Sequence, residues 1–171
     1  MKHLKKFIFV LSLTLIFASC KKDEVSDETT IEGTWKITNF HGTSTSVVTY
    51  NGNSGTMTSE LSLVSSNSTI TFNDDNTYNA DGSLEIRTIG FNNGSQVSDI
   101  TQTSTPQDSG TWSLDGDQLT INTNTGDETI GTIIDQSNNE FTIKSIIHES
   151  EDTAGINTTT DGEFYQTLEK Q

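Results

Sequence analysis

The stretch Ser109-Gly110-Thr111-Trp112-Ser113-Leu114-Asp115-Gly116-Asp117-Gln118-Leu119-Thr120-Ile121-Asn122 holds two strand-length runs, Gly110 to Leu114 and Gln118 to Asn122, on either side of Asp115-Gly116. Aspartate and glycine tolerate the positive φ of a tight hairpin, so the stretch reads as two antiparallel strands joined by a turn. The same grammar recurs along the chain. Thr34 to Phe40, Thr69 to Phe72, Ser83 to Phe91, Thr129 to Ile134, Glu140 to Ile147 and Glu163 to Leu168 are short runs with β-branched and aromatic residues. Asn73-Asp74-Asp75-Asn76, Asp81-Gly82, Asn92-Asn93-Gly94 and Asn138-Asn139 supply the turns between them. No ten-residue stretch after Cys20 has helical spacing, and Pro106 is the only proline.

Alternation assigns faces. Trp35 and Ile37 share one side of their strand, as do Phe141, Ile143 and Ile147, while Lys36 and Lys144 point the other way. One face is buried and one is wet. Such a meander without covering helices ends as a sandwich or a closed barrel, and closure removes both sheet edges. The fold expected is all-β, an antiparallel up-and-down barrel of about eight strands. Residues 41 to 60, 92 to 109 and 148 to 162 are poor in apolar residues and read as long loops or extended hairpins.

The amino-terminal residues carry an address. Lys2, Lys5 and Lys6 precede an apolar run from Phe7 to Ala18 that is too short to span a bilayer, and the small pair Ala18-Ser19 comes after it. Residues 1 to 19 are read as a secretory signal. Cys20, the sole cysteine, stands directly after the small pair, and this arrangement resembles the lipobox at which diacylglycerol is attached, although Phe17 stands where leucine is more usual. Two or more acyl chains give stable membrane attachment where one gives marginal binding. Lipidation also accounts for a lone cysteine in an exported chain, which could form no internal disulfide. Lys21-Lys22-Asp23-Glu24 resembles the export signal that sends lipoproteins of Bacteroidota to the outer face of the outer membrane, so display on the cell surface is expected, with a periplasm-facing anchor as the alternative. Residues 20 to 30 form a lipidated acidic linker and residues 31 to 171 a single domain. The linker residues after Cys20 reach about 35 Å at most.

Composition narrows the partners. Removing the three signal-peptide lysines from nine Lys and Arg leaves six against 24 Asp and Glu, a formal charge of −18 on the mature chain. Binding a phosphate backbone needs clustered cations, and Lys36, Arg87, Lys144 and Lys170 are too scattered, so nucleic acid is not an expected partner. Apolar residues make up 30% of the whole chain and are concentrated in the signal, so the core must be thin.

No active site or cofactor is expected. His41 and His148 have no ligand-like spacing to another His, Cys or Glu, and His148-Glu149-Ser150-Glu151-Asp152 reads as a solvated acidic loop. Asp74-Asp75-Asn76 and Asp115-Gly116-Asp117 suit turns better than calcium, since Tyr78 occupies the fifth position of the loop template and no glutamate closes it. Asp152-Thr153-Ala154 resembles the O-glycosylation acceptor of Bacteroidota exported proteins, which makes Thr153 a candidate modification site.

Three segments carry a family likeness: Glu32-Gly33-Thr34-Trp35-Lys36-Ile37, then Thr69-Ile70-Thr71-Phe72-Asn73-Asp74-Asp75-Asn76-Thr77-Tyr78, then Ser109 to Ile121. In order and spacing they resemble the lipocalin-like domain family of Bacteroidota lipoproteins, over residues 31 to about 147. Asn76 stands where that family often has glycine. The resemblance implies a calycin-like barrel with a calyx, and Trp35, Ile37, Phe72, Tyr78, Trp112, Phe141 and Ile143 are the candidates for its interior and for facing a ligand there. Lipocalins proper place the first-strand tryptophan at the closed end of the barrel, beneath an arginine of the last strand. Here no arginine comes after Arg87, and Lys170 is the only late cation. The function expected is a membrane-anchored, non-enzymatic module that holds a small apolar or amphipathic molecule in the barrel. The alternative is an accessory subunit of an outer-membrane assembly, with a filled barrel whose segments 41 to 60 and 148 to 162 make the contacts with a protein partner.

Overall fold

The computed structural model describes residues 30–153 and 155–171. The stretch read as a signal, the expected lipidation site Cys20 and the expected linker through residue 29 lie outside the described residues. Among the described residues eleven strands run in order: β1 (Gly33–Tyr50), β2 (Asn53–Ser66), β3 (Thr69–Phe72), β4 (Thr77–Asp81), β5 (Leu84–Asn92), β6 (Ser95–Ser104), β7 (Asp108–Asp115), β8 (Gln118–Thr123), β9 (Glu128–Gln136), β10 (Glu140–Thr153) and β11 (Ile156–Lys170). No helix occurs among the described residues.

Three interruptions divide what are single ribbons. Asn67-Ser68 separates β2 from β3, Gly82-Ser83 separates β4 from β5, and Thr105 to Gln107 separates β6 from β7. Pairing keeps its register across each break: Thr69 faces Asp81 as Ser66 faces Leu84, and Ala80 faces Asp108 as Leu84 faces Ser104. The result is an up-and-down meander of eight ribbons (β1, β2/β3, β4/β5, β6/β7, β8, β9, β10, β11). It closes because β1 pairs with β11 from Trp35↔Lys170 to Tyr50↔Ile156, as expected for the barrel.

Asp81-Gly82 is not the turn expected of it. Gly82 sits inside a continuing ribbon with φ 103°, and a Cβ there would lie 2.7 Å from the Asn67 carbonyl oxygen, so glycine permits a close crossing of two backbones. The hairpin tips lie instead at Asn51-Gly52 and Asn93-Gly94, where both residues of each pair have positive φ. Residues 41–60, 92–109 and 148–162 are mostly strand. Their few apolar residues reflect ribbons exposed to water on both faces, so extended hairpins are what the sequence encodes there.

The ribbons differ in height. At the end holding Gly33, the turns at Asn73–Asn76, Asp115–Gln118 and Gln136–Glu140, and Lys170, the eight strands β1, β3, β4, β7, β8, β9, β10 and β11 form a complete ring. Strands β8 and β9 are short: β7 and β8 pair only as far as Gly110↔Thr123, and β9 and β10 only as far as Ser145↔Gly131. Above that level the wall is missing. The remaining ribbons continue as an open sheet in the order β10-β11-β1-β2-β5-β6. From Thr38 to Tyr50 this sheet extends about 40 Å at the usual rise of a strand. Bulges mark the passage, one between Ile37 and Asn39 and another between Leu63 and Ser65.

Inside the ring the core is filled. Trp35, Phe72 and Phe141 are each 1% exposed. Trp35 meets Phe141 edge to face at 4.6 Å, Phe72 meets Trp112 edge to face at 5.5 Å, and Phe72 lies 6.4 Å from Phe141. Such edge contacts add about 0.5–1.5 kcal/mol each beyond area burial. Ile31, Leu119, Ile133, Ile143 and Leu168 pack around them.

Candidate functional site

Trp35, Ile37, Phe72, Tyr78, Trp112, Phe141 and Ile143 all belong to the buried cluster inside the ring. They face one another. With Trp35, Phe72 and Phe141 almost inaccessible, no water-sized space touches them, and the closed ring offers a ligand no room at their level. Tyr78 turns its hydroxyl to the Asp108 carboxylate, 2.8 Å away. Burial first, and that carboxylate second, push its phenol well above the usual range.

Free space lies above. Alternation continued through the bulge at Thr38 puts Phe40, Gly42, Ser44, Ser46 and Val48 on the inner face of β1. Their partners line up row by row. Ser145, Phe164, Gly42, Leu61, Thr88 and Ile100 form one row across six strands, and Ile147, Gly162, Ser44, Ser59, Gly90 and Ser98 form the next. Phe40 and Phe164 stack with centroids 6.1 Å apart and planes within 10°. Phe164 lies across Gly42 and Gly162, whose added Cβ atoms would meet its ring at 2.4 and 2.8 Å. These glycines make room for the ring. Leu61, Leu63, Ile86 and Ile147 are half-buried beside it, and Ile100 is 50% exposed. The inner face of the open sheet thus presents an apolar floor at the mouth of the filled ring, and farther up a floor of hydroxyls, where Ser46 and Thr160 share a 2.9 Å hydrogen bond.

Two other hollows differ in character. At the closed end a cavity of about 520 Å³ is lined by Ile31, Glu32, Asn76, Trp112, Leu114 and Gln136. On the outer face a cleft of about 260 Å³ runs beside His41, Thr43, Glu60, Glu163 and Tyr165. There His41 stacks on Tyr165 at 5.0 Å, Lys144 pairs with Glu163 at 2.7 Å, and the Tyr165 hydroxyl donates to Glu163. The Lys144 ammonium and that hydroxyl hold the Glu163 carboxyl below its ordinary range, and Glu163 in turn raises Lys144. On the next strands Arg87 donates two hydrogen bonds to Asp99, at 2.8 and 2.5 Å.

The other candidates lie away from the trough's apolar floor. His148 lies in a strand, not a loop, and its Nδ1 is 2.5 Å from Asp161 across the β10–β11 pair. Glu149 and Glu151 alternate with it onto the opposite face. His41 and His148 are on separate strands, and among the described residues no group of three or more His, Cys, Asp or Glu is arranged to hold a metal. Asp75 accepts from the Thr77 hydroxyl at 2.6 Å and backbone at 3.0 Å, which lowers its pKa and closes the turn that holds Asn76 at φ 62°. Thr153 is exposed at the last tip, with its hydroxyl donating to Glu151 at 2.8 Å.

The residues that sequence reasoning missed are Leu61, Leu63, Ile86, Ile100 and Phe164 as one surface. A signal existed in Phe40, which stands three residues after Ile37 instead of two and so betrays the bulge that carries the inner face upward.

A sequence profile described as a lipocalin-like domain matches residues 31–143. No curated protein sequence and no solved structure matches the chain.

Proposed function

The chain belongs to the lipocalin-like domain family, and from that membership we propose a lipid-anchored, non-enzymatic module that holds a small apolar or amphipathic molecule on the inner face of its open sheet. The family barrel suggests small-molecule binding; the stacked pair Phe40 and Phe164, above a ring already filled, is the observation that favours this position for the ligand. Burial of a half-exposed aromatic or aliphatic side chain contributes at about 25 cal/mol per Å², so this floor gains by being covered.

Anchoring through acylated Cys20 gives the site a direction. Ile31 is buried and its carbonyl accepts from Trp35 Nε1 at 2.6 Å, so the described chain enters at the closed end. A lipid tether would hold that end toward the membrane and leave the open sheet pointing away from it. The acidic pair after the cysteine supports display on the outer face of the outer membrane.

The test is native mass spectrometry of the protein released by protease from its own cells. A reproducible added mass that disappears on denaturation supports bound ligand; a bare polypeptide mass from every preparation counts against it.

The filled ring also favours a second reading, an accessory subunit of an outer-membrane assembly that docks through the tall hairpins. Crosslinking in intact cells separates the two: recovery of one reproducible protein partner supports the subunit, and its absence removes it.

A further inference from the structure

Charged side chains are unevenly distributed over the inner face of the open sheet. Four Lys and Arg side chains occur among the described residues, and none reaches the trough. Lys36 alternates with the buried pair Trp35 and Ile37, Arg87 stands in the outer row with Ser62 and His41, Lys144 stands in that row with Tyr165, and Lys170 covers Trp35 at the closed end. Acids do reach it. Asp108 faces inward with Ala80 and Tyr78 at the mouth of the ring. Glu149 shares its row with Thr160 and Ser46, and Glu151 shares the next with Thr158 and Val48. Ser44, Ser59 and Ser98 lie in the row between Glu149 and the apolar floor, Ser46 and Thr160 stand in the row of Glu149, and Thr88 stands in the floor itself; all can accept or donate hydrogen bonds and carry no charge.

An amphiphile that lays its tail on Phe40, Phe164 and Leu61 puts its head along these hydroxyls, within reach of Glu149. A carboxylate or phosphate head would stand near like charges with no cation to pair it, which is unfavourable. An uncharged, hydroxyl-rich head meets matching partners, and a cationic head meets the glutamates. We propose that the trough takes amphiphiles with uncharged or cationic heads and rejects anionic ones such as free fatty acids. This rests on the binding reading above and adds to it the class of ligand.

The experiment is calorimetric titration of the chain from residue 20 onward, with Cys20→Ser so that no acyl chain competes. The probes share a twelve-carbon tail: dodecyl maltoside, dodecyltrimethylammonium and dodecanoate, each below its micelle-forming concentration and at low salt, where screening is weakest. The uncharged and cationic probes are expected to bind, and dodecanoate to bind about tenfold more weakly or not at all. Glu149→Lys, at an exposed position, is expected to narrow that gap several-fold. Ile100→Asp is expected to weaken dodecyl maltoside, the probe whose head has no charge to meet the new carboxylate. Equal affinity for dodecanoate and the maltoside overturns the charge selection while the binding reading stands. Insensitivity of dodecyl maltoside to Ile100→Asp puts the probes elsewhere and overturns the proposal. Failure of all three probes to bind removes the binding reading itself, a distinct result.

Discussion

Lys170 Nζ lies 5.2 Å above the ring of Trp35, at the closed end of the barrel. The lysine stands where the lipocalin resemblance implies an arginine, and its stem runs along Gly33, whose missing side chain leaves the approach open: a Cβ there would lie 3.3 Å from the Lys170 Cε. A cation over an aromatic face contributes about 0.5–1 kcal/mol when exposed and about 2 when desolvated. Lys170→Met, which keeps the stem and removes the charge, is expected to lower stability by about 1 kcal/mol, seen as a lower urea midpoint with unchanged slope. Lys170→Arg is expected to retain the native midpoint.

The filled ring and the open sheet should respond differently to truncation. Phe141→Ala removes a ring in contact with both Trp35 and Phe72 and is expected to cost about 3–5 kcal/mol. Ile100→Ala, on the open sheet, is expected to cost under about 1 kcal/mol. Urea denaturation of the two variants side by side checks the contrast.

Glycines inside the strands supply a third comparison. A Cβ on Gly110 would lie 1.9 Å from the Asn122 carbonyl oxygen, a backbone atom that cannot step aside without breaking the β7–β8 pair. At Gly131 the nearest atom is the Cγ2 of Ile143 at 2.4 Å, a side chain. Both alanine variants are expected to be destabilised by about 1–3 kcal/mol or more, Gly110→Ala the more strongly, as read from their thermal midpoints.

Tyr78 ties stability to alkaline pH. Its folded pKa is raised above the ordinary 10.0, because burial and the Asp108 carboxylate both disfavour the phenolate. The folded state therefore holds the proton more tightly than the unfolded chain. That contribution is present in full below about pH 10 and is lost as pH climbs through the raised value. Tyr78→Phe is expected to flatten the alkaline loss of stability, measured as urea midpoints from neutral pH to about pH 11.

Much of this fold was legible because its signals are local. Asp115-Gly116 and Asn73 to Asn76 announce their turns through φ, and Trp35 and Phe141 announce the core by alternation. The tall hairpins were harder: largely wet strands such as Asn53–Ser66 and Ser95–Ser104 carry hydroxyls in place of a continuous apolar stripe and resemble loops. Gly82 misled for a related reason, since a positive φ serves a kink within a ribbon as well as a reversal. The trough was illegible because its floor is assembled across six strands, and because the bulges at Thr38 and Val64 shift the inward set by one residue.

A filled ring with a ligand on the open sheet above it has a spectroscopic signature. Methyl resonances of the isoleucines and leucines, followed while dodecyl maltoside is added below its micelle-forming concentration, report on the two regions separately. Shifts are expected at Leu61, Ile86, Ile100 and Ile147, with Leu119, Ile133 and Leu168 unmoved. Shifts centred on Leu119, Ile133 and Leu168, with the upper methyls silent, would refute this arrangement and return the ligand to the interior of the ring.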